Sequence, residues 1–148
     1  MQRLRRGAVT GRLLSRRETV RFGVWNVRTL RGSGKTEQLA LAMKQYRLSY
    51  VAVTETQLTG ASEMVLDAHT GYSMIFSGRK DTSNAEGMGL ALTPHARAAL
   101  RHYQAVSSRI LKAELLTQAG PLLVIVAYAP TDQSSMKCHS GRSRGTPT

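Results

Sequence analysis

Three polar residues, far apart in the chain, each follow an apolar run. Asn26 comes after Val24-Trp25, Glu55 after Val51-Ala52-Val53-Thr54, and Tyr128 after Leu122–Ala127. Two buried strands that deliver an amide and a carboxylate to one sheet edge can build a divalent-metal site, because hard cations take oxygen ligands. A phenol on a third strand end adds a hydrogen-bonding group. Each residue also has a plain structural reading. Asn26 can end a strand in a turn, Glu55 can be a solvated residue at a loop start, and Tyr128 can be half-buried with its hydroxyl in water.

The elements that would position them follow from periodicity. Thr19–Trp25 alternates and then turns continuously apolar, so it reads as a strand with a buried end. Gly32-Ser33-Gly34 makes a turn. Lys35–Leu48 carries Leu39, Ala42, Met43 and Tyr46 at helical spacing, which predicts an amphipathic helix on the sheet. Tyr50–Thr54 is the next strand, so Val20–Glu55 reads as a right-handed βαβ unit with parallel strands. Gln57–His69 is polar and reads as a surface loop, followed by a short strand Tyr72–Ser77 and a polar loop Gly78–Glu86. Gly87–Leu92 is a strand whose glycines signal a bulge or close backbone approach, with Trp25 and Met88 expected in the core. Pro94–Leu100 is a brief helical or irregular link. In Ile110–Leu116, Leu111, Ala113 and Leu115 face one side and Lys112 and Glu114 the other. The turn Gln118–Pro121 then joins this strand to Leu122–Ala127 as an antiparallel hairpin.

The organisation expected is a basic disordered arm over 1–18, a partial domain over 19–131 and a disordered tail over 132–148. The fold class is α/β: about one mixed sheet with helices on one face and nothing on the other, a face that needs a partner.

The chain has 148 residues and 41% hydrophobic content, enough for one domain or part of one. Its 21 Lys+Arg against 9 Asp+Glu give a formal net charge of +12, which favours a polyanionic partner, nucleic acid first. Arg3, Arg5, Arg6, Arg12, Arg16, Arg17 and Arg21 cluster ahead of the first strand with only Glu18 opposing them. Such an arm suits phosphate contacts or a nuclear address; it is also Arg-rich like a transit peptide, but lacks an amphipathic stripe. No secretory apolar core and no membrane-spanning run occurs. One cysteine, Cys138, forbids an internal disulfide and a cysteine-based zinc site. An intracellular location is expected, the nucleus first.

Four segments together carry a resemblance: Trp25-Asn26-Val27-Arg28-Thr29-Leu30, Thr54-Glu55-Thr56, Gly87-Met88-Gly89-Leu90-Ala91 and Tyr128-Ala129-Pro130-Thr131. In order and spacing residues 20–131 resemble the N-terminal half of the endonuclease/exonuclease/phosphatase superfamily. They are most similar to the endonuclease domain of non-LTR (LINE-type) retrotransposons and to craniofacial development protein 2-like proteins. The resemblance implies a four-layer α/β sandwich and Mg²⁺-dependent phosphodiester cleavage, with DNA favoured. It implies Glu55 as metal ligand, Asn26 orienting the carboxylate and scissile phosphate, and Tyr128 hydrogen-bonded to phosphate or the attacking water. Arg16, Arg17 and Arg28 are the expected nucleic-acid contacts.

The chain departs from that pattern in its second half. No Gly-Asp pair occurs for the family's Gly-Asp-Phe-Asn-like motif, and no Asp-His pair for its Ser-Asp-His-like motif. Where some nucleases carry an acid two positions after the Asn, Arg28 stands here. A truncated domain with little or no activity alone is the expectation; a non-catalytic remnant that binds nucleic acid or protein is the alternative. A third reading, the phosphate-binding loop suggested by Gly32-Ser33-Gly34-Lys35-Thr36, lacks the glycine it needs at Thr29.

Overall fold

The computed structural model of the chain describes residues 19–81 and 86–129. The proposed arm 1–18 with Arg16 and Arg17, and the proposed tail 132–148, lie outside the described residues. Eight strands and two helices follow in order: β1 Phe22–Asn26, α1 Lys35–Gln45, β2 Tyr50–Thr54, β3 Ala61–Asp67, β4 Tyr72–Ser77, β5 Met88–Leu92, α2 Pro94–Ala99, β6 Leu100–Ser107, β7 Ile110–Thr117 and β8 Gly120–Ala127. They form a mixed five-stranded sheet, β1-β2-β5-β4-β3, and a three-stranded sheet, β6-β7-β8. β1 and β2 are parallel, and the other pairs are antiparallel.

The alternation of strand side chains divides the large sheet between two cores. On one face Val51, Val53, Met74 and Ala91 pack against Leu39, Ala40 and Met43 of α1. On the other, Ala52, Ile75, Leu90 and Leu92 meet Leu111, Ala113, Leu115 and Val126 of the small sheet. The layers are therefore helix, sheet, sheet. This corrects the expectation of about one sheet with an open face: the hairpin β7–β8 joins β6 to make a second sheet that covers it. The helix α2 starts at Pro94, with the Thr93 hydroxyl accepting the Ala96 N–H at 3.2 Å as its N-cap.

Three further corrections have local causes. The segment Gln57–His69 is not all loop, because β3 lies within it. Met64 and Leu66 turn toward the α1 core, while Ala61, Ser62 and Val65 are exposed, so an edge strand looks polar in sequence. Its turn into β4 is closed by Asp67, which accepts the His69 N–H at 3.0 Å and the Thr70 hydroxyl at 2.7 Å. Tyr46 is 63% exposed and caps α1 rather than packing beneath it. The end of β1 is not buried, nor is Trp25 in the core: Val24 is 71% exposed and Trp25 46%.

The exposure of Val24 is architectural instead. β6 lies over β4, β7 over β4 and β5, and β8 over β5. The small sheet therefore ends before it reaches β1, and Phe22 and Val24, on the sheet face that bears Tyr50 and Ala52, overhang it. β1 and β8 are both edge strands, and Leu123 and Ile125 of β8 are more than half exposed. Among the described residues no helix is long and apolar enough to cross a membrane.

Strand ends line up across the large sheet. Asn26 pairs with Thr54, Thr54 with Met88, Met88 with Ser77 and Ser77 with Ala61. The end of β2 is fixed at this edge by Thr56, fully buried, whose N–H donates to the Gly87 carbonyl at 3.1 Å. Gly87 has φ +136°, and a Cβ there would lie 2.5 Å from the Thr56 hydroxyl. Gly87→Ala is expected to cost at least about 2 kcal/mol in urea denaturation, from steric overlap and a backbone region closed to L-residues.

Candidate functional site

The aligned strand ends bring two of the three residues singled out in the sequence into contact. The Tyr128 hydroxyl donates to Glu55 Oε1 at 3.2 Å, across 73 positions of chain. Both side chains are half-buried. Tyr128 is held in place through its backbone, its N–H donating to the Arg109 carbonyl at 3.0 Å. Burial first, and then the hydrogen bond to Glu55, raise the Tyr128 pKa above that of an ordinary phenol, so the ring hydroxyl stays protonated at neutral pH and keeps donating.

Asn26 ends β1 on the neighbouring parallel strand, in register with Thr54, one residue before Glu55. Its exposed side chain is occupied locally: Asn26 Oδ1 accepts the Arg28 N–H at 3.0 Å, an Asx turn. The turn reading of Asn26 is thus realised, and its place beside the Glu55 strand end is realised with it. Arg28 is exposed on the same turn with φ +58°.

Glu55 and Gln57 share that left-handed backbone, at φ +58° and +57°. A non-glycine residue held there costs about 1–3 kcal/mol and persists only where its surroundings enforce it. Among the described residues, three of the four of this kind, Arg28, Glu55 and Gln57, flank one strand-end edge. Thr56 between the last two is pinned on both sides, to Gly87 as described and by the Leu30 N–H to its own carbonyl at 2.9 Å. The backbone strain therefore sits where the carboxylate is presented.

Sequence reasoning missed a second carboxylate at this edge. Glu86 is buried just ahead of β5. Arg109 donates to Glu86 Oε1 from Nη2 at 2.7 Å and from Nε at 3.2 Å, and Ser108 Oγ donates to Oε2 at 3.2 Å. The guanidinium holds the Glu86 carboxyl below the usual glutamate range, against the opposing effect of burial. An acid placed directly before Gly87-Met88-Gly89 was the available signal; it marks a strand start as Glu55 marks a strand end. Arg109 is half exposed and engaged in this pair.

Among the described residues no group of three or more His, Cys, Asp or Glu side chains is placed to hold a metal ion. Glu55 alone still fits Mg²⁺ chemistry, since this ion keeps several waters and binds through one or two carboxylates plus substrate phosphate. No family model matches the chain, and no curated protein matches it.

Two expected outcomes follow from the geometry. In a Tyr128→Phe background, which removes the hydrogen bond, Glu55→Asn is expected to raise stability by roughly 0.5–1 kcal/mol in urea denaturation, because Asn tolerates the left-handed region. For Glu86 the sign runs with its depressed pKa. The Arg109 pair contributes fully above the unfolded glutamate pKa of about 4.3 and is lost as pH falls through the lower folded value. Glu86→Gln should therefore cost about 1–2 kcal/mol at pH 7. The gap to the parent chain should close below about pH 4 in thermal melts.

Proposed function

We propose that residues 20–131 are the N-terminal half of a Mg²⁺-dependent endonuclease-type phosphodiesterase domain acting on DNA, of retrotransposon origin, and that this chain alone turns over little. The observation that carries the reading is the Tyr128–Glu55 hydrogen bond at the aligned strand ends. Two sheets packed face to face with a helix outside also suit the inner part of a four-layer sandwich.

In this reading Glu55 would hold the ion, which supplies positive charge against the phosphoryl oxygens. Tyr128, kept protonated, would donate to a phosphate oxygen once Glu55 turns to the metal. Asn26 would release Arg28 and orient the carboxylate and the scissile phosphate. Nothing among the described residues supplies a positioned base, and that loss alone is worth about 10²–10⁴ in rate. The net charge of +12 suits a DNA partner and a nuclear location.

The overhang of β1 beyond β8 favours a second reading of the same surface. A polypeptide that adds a strand to β8 would cover Phe22 and Val24, so the chain would act as a binding remnant completed by a protein partner.

Mn²⁺, followed by electron paramagnetic resonance, serves as the stand-in ion. The expected result is weak Mn²⁺ binding that Glu55→Gln abolishes, with no nicking of supercoiled plasmid in Mg²⁺ above background. Equal Mn²⁺ affinity in both proteins removes the metal assignment. Robust nicking abolished by Glu55→Gln removes the claim that half the site is missing.

A further inference from the structure

The strand-end edge continues past Glu55 into a groove that the proposed site does not use. It has a volume of ≈ 660 Å³ and runs between the end of β4 and the β6–β7 turn, with Gly60 and Gly78 in its lining and Arg79, Lys80 and Arg109 supplying positive charge. Its wall is built rather than accidental. Ser77 is buried and donates its hydroxyl to the Ser107 carbonyl at 2.7 Å, tying the two sheets together at this point. Gly78 admits no side chain, since a Cβ there would sit 1.8 Å from the Leu58 carbonyl oxygen. The Glu86–Arg109 pair is common to the groove and to the surroundings of Tyr128.

Each arginine in the groove is oriented by a carboxylate. Arg79 Nε donates to Asp81 Oδ1 at 2.9 Å and Arg79 Nη2 to Oδ2 at 2.8 Å. A guanidinium has five N–H donors, so a two-point pair leaves it able to meet a second anion. Lys80 is exposed beside it. Three cations against Asp81 and Glu86 leave the groove net positive.

Distance sets what such a groove would hold. β4 is two strands from β2, with β5 between them. At about 4.8 Å per strand this places Ser77 at the end of β4, just ahead of Arg79 and Lys80, roughly 10 Å from the Glu55 strand end. At that separation the groove lies beside the bond at Glu55 and within reach of the same nucleic-acid backbone, whose charges recur regularly along each strand.

We propose that this groove binds the phosphodiester backbone of DNA beside the bond presented at Glu55. Lys80 and Arg79 make the contacts, and Asp81 competes with phosphate for Arg79. The inference rests on the proposed DNA reading for its direction along the edge, but its contacts are separate from the metal site. Asp81 therefore tunes the affinity of the groove: its carboxylate offsets the Arg79 charge that a backbone phosphate meets.

The test uses the full chain and a fluorescein-labelled 16-base-pair duplex, titrated by fluorescence anisotropy across NaCl concentration, with circular dichroism to verify the fold. Lys80→Ala should weaken binding about eightfold at 0.1 M salt and lower the slope of log affinity against log salt by about 0.9, the effect of one phosphate contact. Asp81→Asn should act in the opposite direction and tighten binding, which a merely destabilised protein would not do. If Lys80→Ala and Asp81→Asn both leave affinity unchanged, or both weaken it, the groove is not a DNA site. If the opposite-signed pair is seen while Mn²⁺ binding proves independent of Glu55, the groove stands and the metal assignment alone fails.

Discussion

Thr56 is the residue on which the strand-end edge depends. Its N–H is tied to Gly87 ahead of β5, its carbonyl to Leu30 in the loop after β1, and its hydroxyl accepts the Leu58 N–H at 3.4 Å. With all three groups spoken for in a fully buried position, β2 has no freedom to continue straight. Glu55 is forced into the left-handed region immediately before this anchor, and Gln57 immediately after it. A glycine on one strand thereby fixes a carboxylate on another, because only a residue without a Cβ leaves room for the Thr56 hydroxyl.

The two carboxylates that result are electrostatically unlike. Glu86 is neutralised in place by the Arg109 guanidinium and the Ser108 hydroxyl, which suits a structural strut between β5 and the β6–β7 turn. Glu55 is met instead by a phenol that burial keeps uncharged. A neutral donor steadies a carboxylate without cancelling its charge, so of the pair Glu55 is the one suited to attract a cation. This division follows from which partner each backbone segment brings alongside, since Arg109 and Tyr128 are themselves bonded through the main chain.

Much of this was legible in sequence where one constraint dominated. Leu111, Ala113 and Leu115 alternate with Lys112 and Glu114, and β7 buries the first three. The glycines of Gly87-Met88-Gly89 signalled close approach, and a Cβ at Gly89 would indeed lie 2.8 Å from Met74 Sδ. That Glu55 and Tyr128 each follow a strand was legible from the apolar runs before them, but their hydrogen bond to one another was not. What escaped was set by sheet membership, which no local pattern encodes. β3 looked like loop because an edge strand exposes much of its length. Trp25 looked buried because the apolar run around it said nothing of the missing neighbour on its far side. Glu86 was overlooked because its partner, Arg109, comes from the other sheet.

The uncovered flank of β1 and the half-furnished site have one geometric origin in the proposed reading. Because β8 lies over β5, the next strand of the small sheet would fall over β2, alongside Phe22 and Val24 of β1. Full burial of side chains of this size is worth about 1.5–3 kcal/mol each, a contribution toward the entropy of ordering an added strand. Asn26 lies on the same strand face two residues beyond Val24. A strand seated there would end or begin beside Asn26 and Glu55, at the position where an additional acid or base has to stand. Completion of the core and completion of the chemistry are then one event.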